Sequence, residues 1–189
     1  MRLKGKKIAI LIESDFYEHE IWYYRYRFPE EGAELHFVTR LWGQPSMTFK
    51  GHEYHAPFVC EESFEGWDDA TLRSYAAIIV PSAFVSDRLR YPDELSKLPP
   101  ATQLVKRAFA EKSILKGIIC HGLFLVSRTP ELVRGRRLVC HPNLYGDALN
   151  MGAVYVDQDV VVDDDLVTGR TGDQAGLFAS KIIEILAGR

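Results

Sequence analysis

The chain has 189 residues, 47% of them hydrophobic and 26% charged, with a formal net charge of -3. That length and balance suit one folded domain with a sizeable core and exclude a disordered polyelectrolyte. So small a net charge gives no electrostatic case for nucleic acid or an anionic membrane as partner, and no apolar run approaches the ~20 residues needed to span a bilayer.

The N-terminal stretch places basic residues before an apolar run, as a signal peptide does. The run "IAILI" is shorter than the roughly 7–15 residues of a signal core, and acidic residues follow it at once. "KKIAILIES" therefore predicts a buried first strand, and the protein is expected to be cytoplasmic. A helix is expected from Glu18 to Gly32, the glycine acting as the stop, with "AELHFVTR" as the second strand. "MTFKGHEYHAPFVC" predicts a hairpin around a glycine turn. "YAAIIVPS" is a further buried strand. "ATQLVKRAFAEK" is a helix, with Leu104, Val105, Ala108 and Phe109 on one face. "ILKGIIC" is the next strand, and "LFLVS" is expected to open a helix. "AVYVDQDVVVDDDLVTG" holds two or three short strands with acidic turns, and "DQAGLFASKIIEILAG" is a closing amphipathic helix. Strands that are apolar throughout and alternate with helices indicate an α/β domain, its parallel sheet covered on both faces. Sites in such folds lie beyond the carboxyl ends of the strands.

Three cysteines, Cys60, Cys120 and Cys140, lack CxxC spacing and argue against a disulfide scaffold or a structural zinc site. Cys120 stands out, because "GIICHG" puts a thiol, an imidazole and a glycine between a strand and a predicted helix. This has the logic of a nucleophile elbow, with Gly122 allowing close approach and the helix N-terminus favouring a thiolate or an oxyanion. A buried structural cysteine fits the local sequence equally well. His141, in "CHP", either lines a pocket or packs as a loop residue. The aromatics of "WYYRYRF" suit packing or a subunit interface better than base stacking. "DDD" (163–165) suits a solvated hairpin turn, and His52 and His55 lack a third ligand. No metal or other cofactor is expected.

"GIICHG" resembles the "ICHG" elbow of the ThiJ/PfpI superfamily, and the chain is similar to that family in order over nearly its whole length. The segments that carry the likeness are "KIAILIESDFYEHEIWYYRYRFPEEGAELHFVTR", "YAAIIVPSAFVSDRLR" and "RGRRLVCHPNLYGDALNMGAVYVDQDVVVDDDLVTGR". The resemblance implies one domain over residues 1–189, a flavodoxin-like three-layer sandwich, assembled into a homodimer or higher oligomer. It carries the family nucleophile onto Cys120 and the histidine that follows it onto His121. The glutamate that hydrogen-bonds the thiol falls on Glu20, although Glu18 lies two residues away. An acid that reaches a neighbouring subunit's site falls on Asp87. Such a set would be Cys–His–acid across an interface, the acid orienting the imidazole. Ser82, Ala83, Gly122, Leu123 and His141 are the implied substrate- or oxyanion-contacting positions.

Four departures from the family pattern stand out. Ser82-Ala83 replaces a Gly-Gly that presents backbone N–H groups, Ile118 replaces a small residue, Leu123 replaces a proline, and Tyr17 stands where an acid is common. The implied function is a cysteine-dependent enzyme acting on a small carbonyl substrate or a peptide, by glyoxalase, deglycase or hydrolase chemistry. The alternatives are a non-catalytic redox-sensing stress protein with an oxidisable Cys120, and a hydratase or amidase on the same scaffold.

Overall fold

A computed structural model describes residues 1–189. The elements in order are β1 (Lys7–Leu11), α1 (Glu18–Glu30), β2 (Glu34–Val38), β3 (Met47–Lys50), β4 (Pro57–Cys60), α2 (Asp69–Arg73), β5 (Tyr75–Val80) and α3 (Val85–Leu89). There follow α4 (Pro100–Ala110), β6 (Leu115–Ile119), β7 (Arg137–Leu138), α5 (Tyr145–Asn150), β8 (Val154–Tyr155), β9 (Val160–Asp163), β10 (Leu166–Gly169) and α6 (Ala175–Ala187). Six strands form the central sheet in the order β2-β1-β5-β6-β10-β9, parallel except for β9, which pairs antiparallel with β10. The fold is the flavodoxin-like α/β sandwich.

The apolar strands became the middle of the sheet for the reason their composition suggests. β1 buries four of its five residues and β6 all five, because helices cover both faces. α6 packs closely on this sheet through two glycines. A Cβ on Gly117 would meet Phe178 at 2.9 Å, and one on Gly169 would meet the same ring at 3.2 Å. Along α1, Tyr24 and Phe28 are fully buried while Trp22, Tyr23 and Tyr26 face outward, so the aromatic run does divide into a packing face and an exposed face.

Several expectations need correction. "LFLVS" does not open an α-helix: residues Cys120–Val126 form a 3-10 run, with apolar side chains turned into the core. α1 ends at Glu30, just short of Gly32, whose backbone is left-handed at φ 87°. The "DDD" segment is a hairpin turn with Asp164 at its tip, but Asp165 is buried rather than solvated. It pairs with the buried Lys116 of β6 and with Arg136 at 2.9 Å. Paired in this way, charges can occupy an interior that excludes lone ones. The short helices α2, α3 and α5 had no counterpart in the sequence reading. No helix is long and apolar enough to cross a membrane.

Candidate active site

Cys120 follows directly on β6, at the carboxyl edge of the sheet. Its backbone is left-handed, φ 60°, a conformation costly for any residue but glycine. This strain is what a sharp strand-to-turn bend requires, and such strain concentrates at functional sites. Gly122 permits the bend, since a Cβ there would meet the Val80 carbonyl oxygen at 2.8 Å and Ile118 at 3.1 Å. Ile118 thus crowds the elbow from within the core. Ala83 also has positive φ, 56°, at the position where the family pattern has glycine. The backbone geometry is kept there at the cost of strain.

The Cys120 thiol lies at the base of a cleft of about 320 Å³ lined by Tyr17, His52, Glu53, Ser82, Ala83, Phe84, His121, His141 and the loop 171–173. The side chain is 7% exposed. Burial is the main influence on the thiol and pushes it up to about 11; the N–H groups of Ala83, His121 and Gly172 favour the thiolate, and the charge of Glu20 opposes it. The expectation of a thiolate stabilised by a helix N-terminus is therefore corrected. A 3-10 run takes the helix's place, and enclosure outweighs the nearby backbone donors.

Glu20 and Glu18 separate cleanly. Glu18 is buried away from the thiol and accepts backbone hydrogen bonds from Glu53 at 2.9 Å and Tyr54 at 2.8 Å. Burial alone would raise its pKa, but these donors hold it down at about 2. It is a structural carboxylate that pins the loop between β3 and β4. Glu20 faces Ser82, whose N–H (2.9 Å) and hydroxyl both donate to Oε2. Its Oε1 is buried and unpartnered. Burial pushes Glu20 up to about 7, against the Ser82 donors. Ser82 therefore serves as a donor to Glu20, a role its glycine counterpart could fill only through its backbone.

Asp87 Oδ2 lies 3.5 Å from His121 Nδ1 of the same chain. The acid thus sits beside its histidine without a second subunit. Ser86 of α3 ties this corner to the elbow, donating to the His121 carbonyl at 2.6 Å. Burial, the largest influence, lowers the His121 pKa, with Asp87 raising it in opposition. The imidazole is therefore neutral at pH 7. Its Nε2 is 3.3 Å from Asn143 Nδ2, and its ring meets that of His141 edge-to-face at 5.1 Å between centroids. Donor atoms of Cys120, His121 and His141 all lie within 4.8 Å of one another.

Of the positions implied by the resemblance, Cys120, His121, Ser82, Ala83 and His141 line the cleft, with Glu20 and Asp87 held against its residues. Gly122 and Leu123 do not line it: both are buried in the core beneath the elbow. Residues absent from that set are His52, Glu53, Phe84, Thr171, Gly172 and Asp173. The last three follow β10, a parallel strand whose carboxyl end is where such folds build sites. Thr171 and Gln174 also form a readable capping box. Tyr17 fills the position of the missing acid and donates to Asp173 Oδ1 at 3.0 Å, closing one side of the cleft.

These features describe a flavodoxin-like α/β protein with a strained cysteine at the carboxyl end of a central strand. A model of the DJ-1/PfpI family matches residues 6–185, and the chain belongs to that family. It is 30% identical over 183 residues to protein/nucleic acid deglycase 2 of Escherichia coli, covering 96% of this chain and 98% of that one. It is 31% identical over 184 residues to general stress protein 18 of Bacillus subtilis, with the same coverage of 96% and 98%. Among solved structures, a two-domain protein of Anabaena variabilis with DJ-1/ThiJ/PfpI-like and ferritin-like domains superposes with a TM-score of 0.83 at 23% identity. That match covers 96% of this chain and 48% of the other, so this chain spans about half its length.

Proposed function

We propose that the protein is a cysteine-dependent enzyme acting on small carbonyl compounds, α-oxoaldehydes and early glycation adducts among them. The observation that carries this reading is the strained Cys120, its sulfur close to three backbone N–H groups and within 4.8 Å of an imidazole nitrogen. In this scheme Cys120 Sγ adds to the carbonyl carbon and the thiol proton passes to the neutral His121. The carbonyl π pair moves to oxygen, which then takes that proton, giving a hemithioacetal. A buried, largely protonated thiol makes the base necessary, because the nucleophile must be deprotonated as it attacks. Asp87 stabilises the imidazolium that forms. Backbone N–H groups of Ala83 and Gly172 are placed to receive the developing oxyanion. Aldehyde addition asks less of such donors than amide cleavage does, which favours glyoxalase or deglycase chemistry over proteolysis. The deglycase relative of Escherichia coli supports the same direction.

The test is methylglyoxal consumption by the wild type and by Cys120→Ala. Turnover is expected in the wild type and absent in the variant. Full turnover in Cys120→Ala would show that the reaction does not use this thiol.

A second reading, an oxidisable stress-response thiol, is favoured by the relative that is a general stress protein and by the placement of Cys120. Cys120 opens onto the cleft, whereas Cys60 and Cys140 are 2% and 1% exposed. Mild peroxide should then convert Cys120 alone to the sulfinic acid. Equal oxidation of all three cysteines would exclude it.

A further inference from the structure

Cys120, His121 and His141 bring one sulfur and two nitrogens to one side of the cleft, and the groups behind the two imidazoles are arranged for more than proton transfer. A histidine that ligates a metal usually donates its other ring N–H to a carboxylate or carbonyl, which fixes tautomer and orientation. His141 has such a partner within hydrogen-bond distance, whereas the buried Nδ1 of His121 has a carboxylate nearby without a hydrogen bond formed to it. His121 Nδ1 lies 3.5 Å from Asp87 Oδ2, and Asn143 Nδ2 makes a long contact of 3.3 Å to the Nε2 lone pair, which a bound metal would displace. His141 Nδ1 lies 2.6 Å from Asn143 Oδ1 and 3.3 Å from the Asn143 backbone nitrogen, and the tautomer that donates to Oδ1 leaves Nε2 free. Asn143 thus contacts both rings, and its Oδ1 favours the His141 tautomer whose Nε2 carries no proton.

From this arrangement we propose that Cys120 Sγ, His121 Nε2 and His141 Nε2 form a binding site for a thiophilic divalent cation of the zinc type, with the fourth position open to the cleft. One thiolate and two imidazoles are a donor set such an ion favours over magnesium or calcium, which take oxygen. Three protein ligands plus an open position is the arrangement of catalytic rather than structural zinc sites. Tetrahedral zinc bonds of ~2.3 Å to sulfur and ~2.0 Å to nitrogen put donors about 3.3–3.5 Å apart, so donors within 4.8 Å of one another must close by up to roughly 1.3 Å. His141 sits at the start of a 3-10 turn (Pro142–Leu144) and is only partly buried, so its side chain can supply that movement. On binding, the thiol loses its proton to solvent and the sulfur lone pair goes to the metal. That same lone pair is the one used for carbonyl attack. The metal-bound protein is then held inactive until a chelator frees the thiol. The site does not depend on the carbonyl chemistry being correct.

The full-length, chelator-treated and reduced protein would be titrated with cobalt(II), followed by its absorption spectrum. The expected result is a thiolate-to-cobalt charge-transfer band with visible bands of tetrahedral intensity, displaced by added zinc. Cys120→Ser should lose the charge-transfer band. His141→Ala should weaken cobalt binding at least about tenfold, and Asp87→Asn by about tenfold to a hundredfold. His55→Ala, at an exposed histidine outside the cleft, should bind as the wild type does. Circular dichroism of each variant separates a lost ligand from a lost fold. Absence of the band in folded wild type, or its persistence in Cys120→Ser or at full affinity in His141→Ala, overturns the inference. Methylglyoxal turnover by the metal-free protein is scored separately, so failure of the metal site and failure of the carbonyl reading are distinguishable.

Discussion

Glu20 and Cys120 are both buried, the cysteine at the base of the cleft and the glutamate behind its wall, and a carboxylate on the first opposes a thiolate on the second. With Glu20 held up at about 7, it keeps its proton in the folded chain over a range where the unfolded chain has lost it. Stability therefore falls as pH rises from about 4.5, the ordinary value, through about 7. Glu20→Gln removes the charge and keeps the shape. It should raise the melting temperature at pH 8 relative to wild type and leave it nearly unchanged at pH 4. It should also shift the alkylation of Cys120 by limiting iodoacetamide to lower pH, read by peptide mass spectrometry. An unchanged alkylation profile would mean the two groups are not electrostatically coupled. Cys120 was legible in the sequence because an elbow leaves a local pattern, whereas Glu20 was reached only through the family resemblance, since two first-turn glutamates read alike. His52, Asp173 and Asn143 were not legible, because only the folded chain brings their loops together. The adjacency of Asp87 to His121 was hidden for the same reason: the residues are far apart in sequence and meet where α3 packs against the elbow.

Between elements, Glu18 does most to shape the cleft wall. It reaches from the first turn of α1 to the backbone of the β3–β4 loop, the loop that carries His52 and Glu53. A Cβ on Gly51 would fall 2.0 Å from its carboxyl group, so the glycine that marked a hairpin turn is also the space the carboxylate occupies. Its pKa is held at about 2, below the ordinary value, so the stability it contributes is fully present above about pH 4.5 and is lost as pH falls toward 2. Glu18→Gln should cost about 2 kcal/mol at pH 7, allowing for solvent screening from the exposed loop above it. The cost should shrink on acidification over that window, as read by urea unfolding. A cost independent of pH would point to packing rather than charge. The sheet strands were legible because continuous apolar runs leave few alternatives. The segment after Cys120 was misread because "LFLVS" is as apolar in a 3-10 run as in an α-helix, and its periodicity is too short to tell them apart. The short helices escaped because five or six residues span less than two turns.

For the whole molecule, the question is whether the site is complete in one chain. The family resemblance implied an acid supplied by a neighbouring subunit, yet Asp87 faces His121 of its own chain. Meanwhile the outer face of α1 exposes Trp22, Tyr23 and Tyr26, the last 69% exposed, beside Tyr54, which stacks on Trp22 at 5.8 Å. Aromatic residues gathered on one face are what a protein interface uses, so we propose a homo-oligomer formed through α1. These two observations separate assembly from chemistry. Tyr26→Lys with Glu30→Lys places like charges on that exposed face, away from the cleft. Sedimentation should show the wild type as a dimer or larger and the double variant as a monomer. Because the imidazole and its acid belong to one chain, the monomer should keep the wild-type alkylation profile of Cys120. If monomerisation instead abolished that profile in a folded protein, a partner's residue would have to complete the site, and the Asp87–His121 pair would be a packing contact. A wild type that sediments as a monomer would remove the interface and leave the exposed aromatics of α1 to another role.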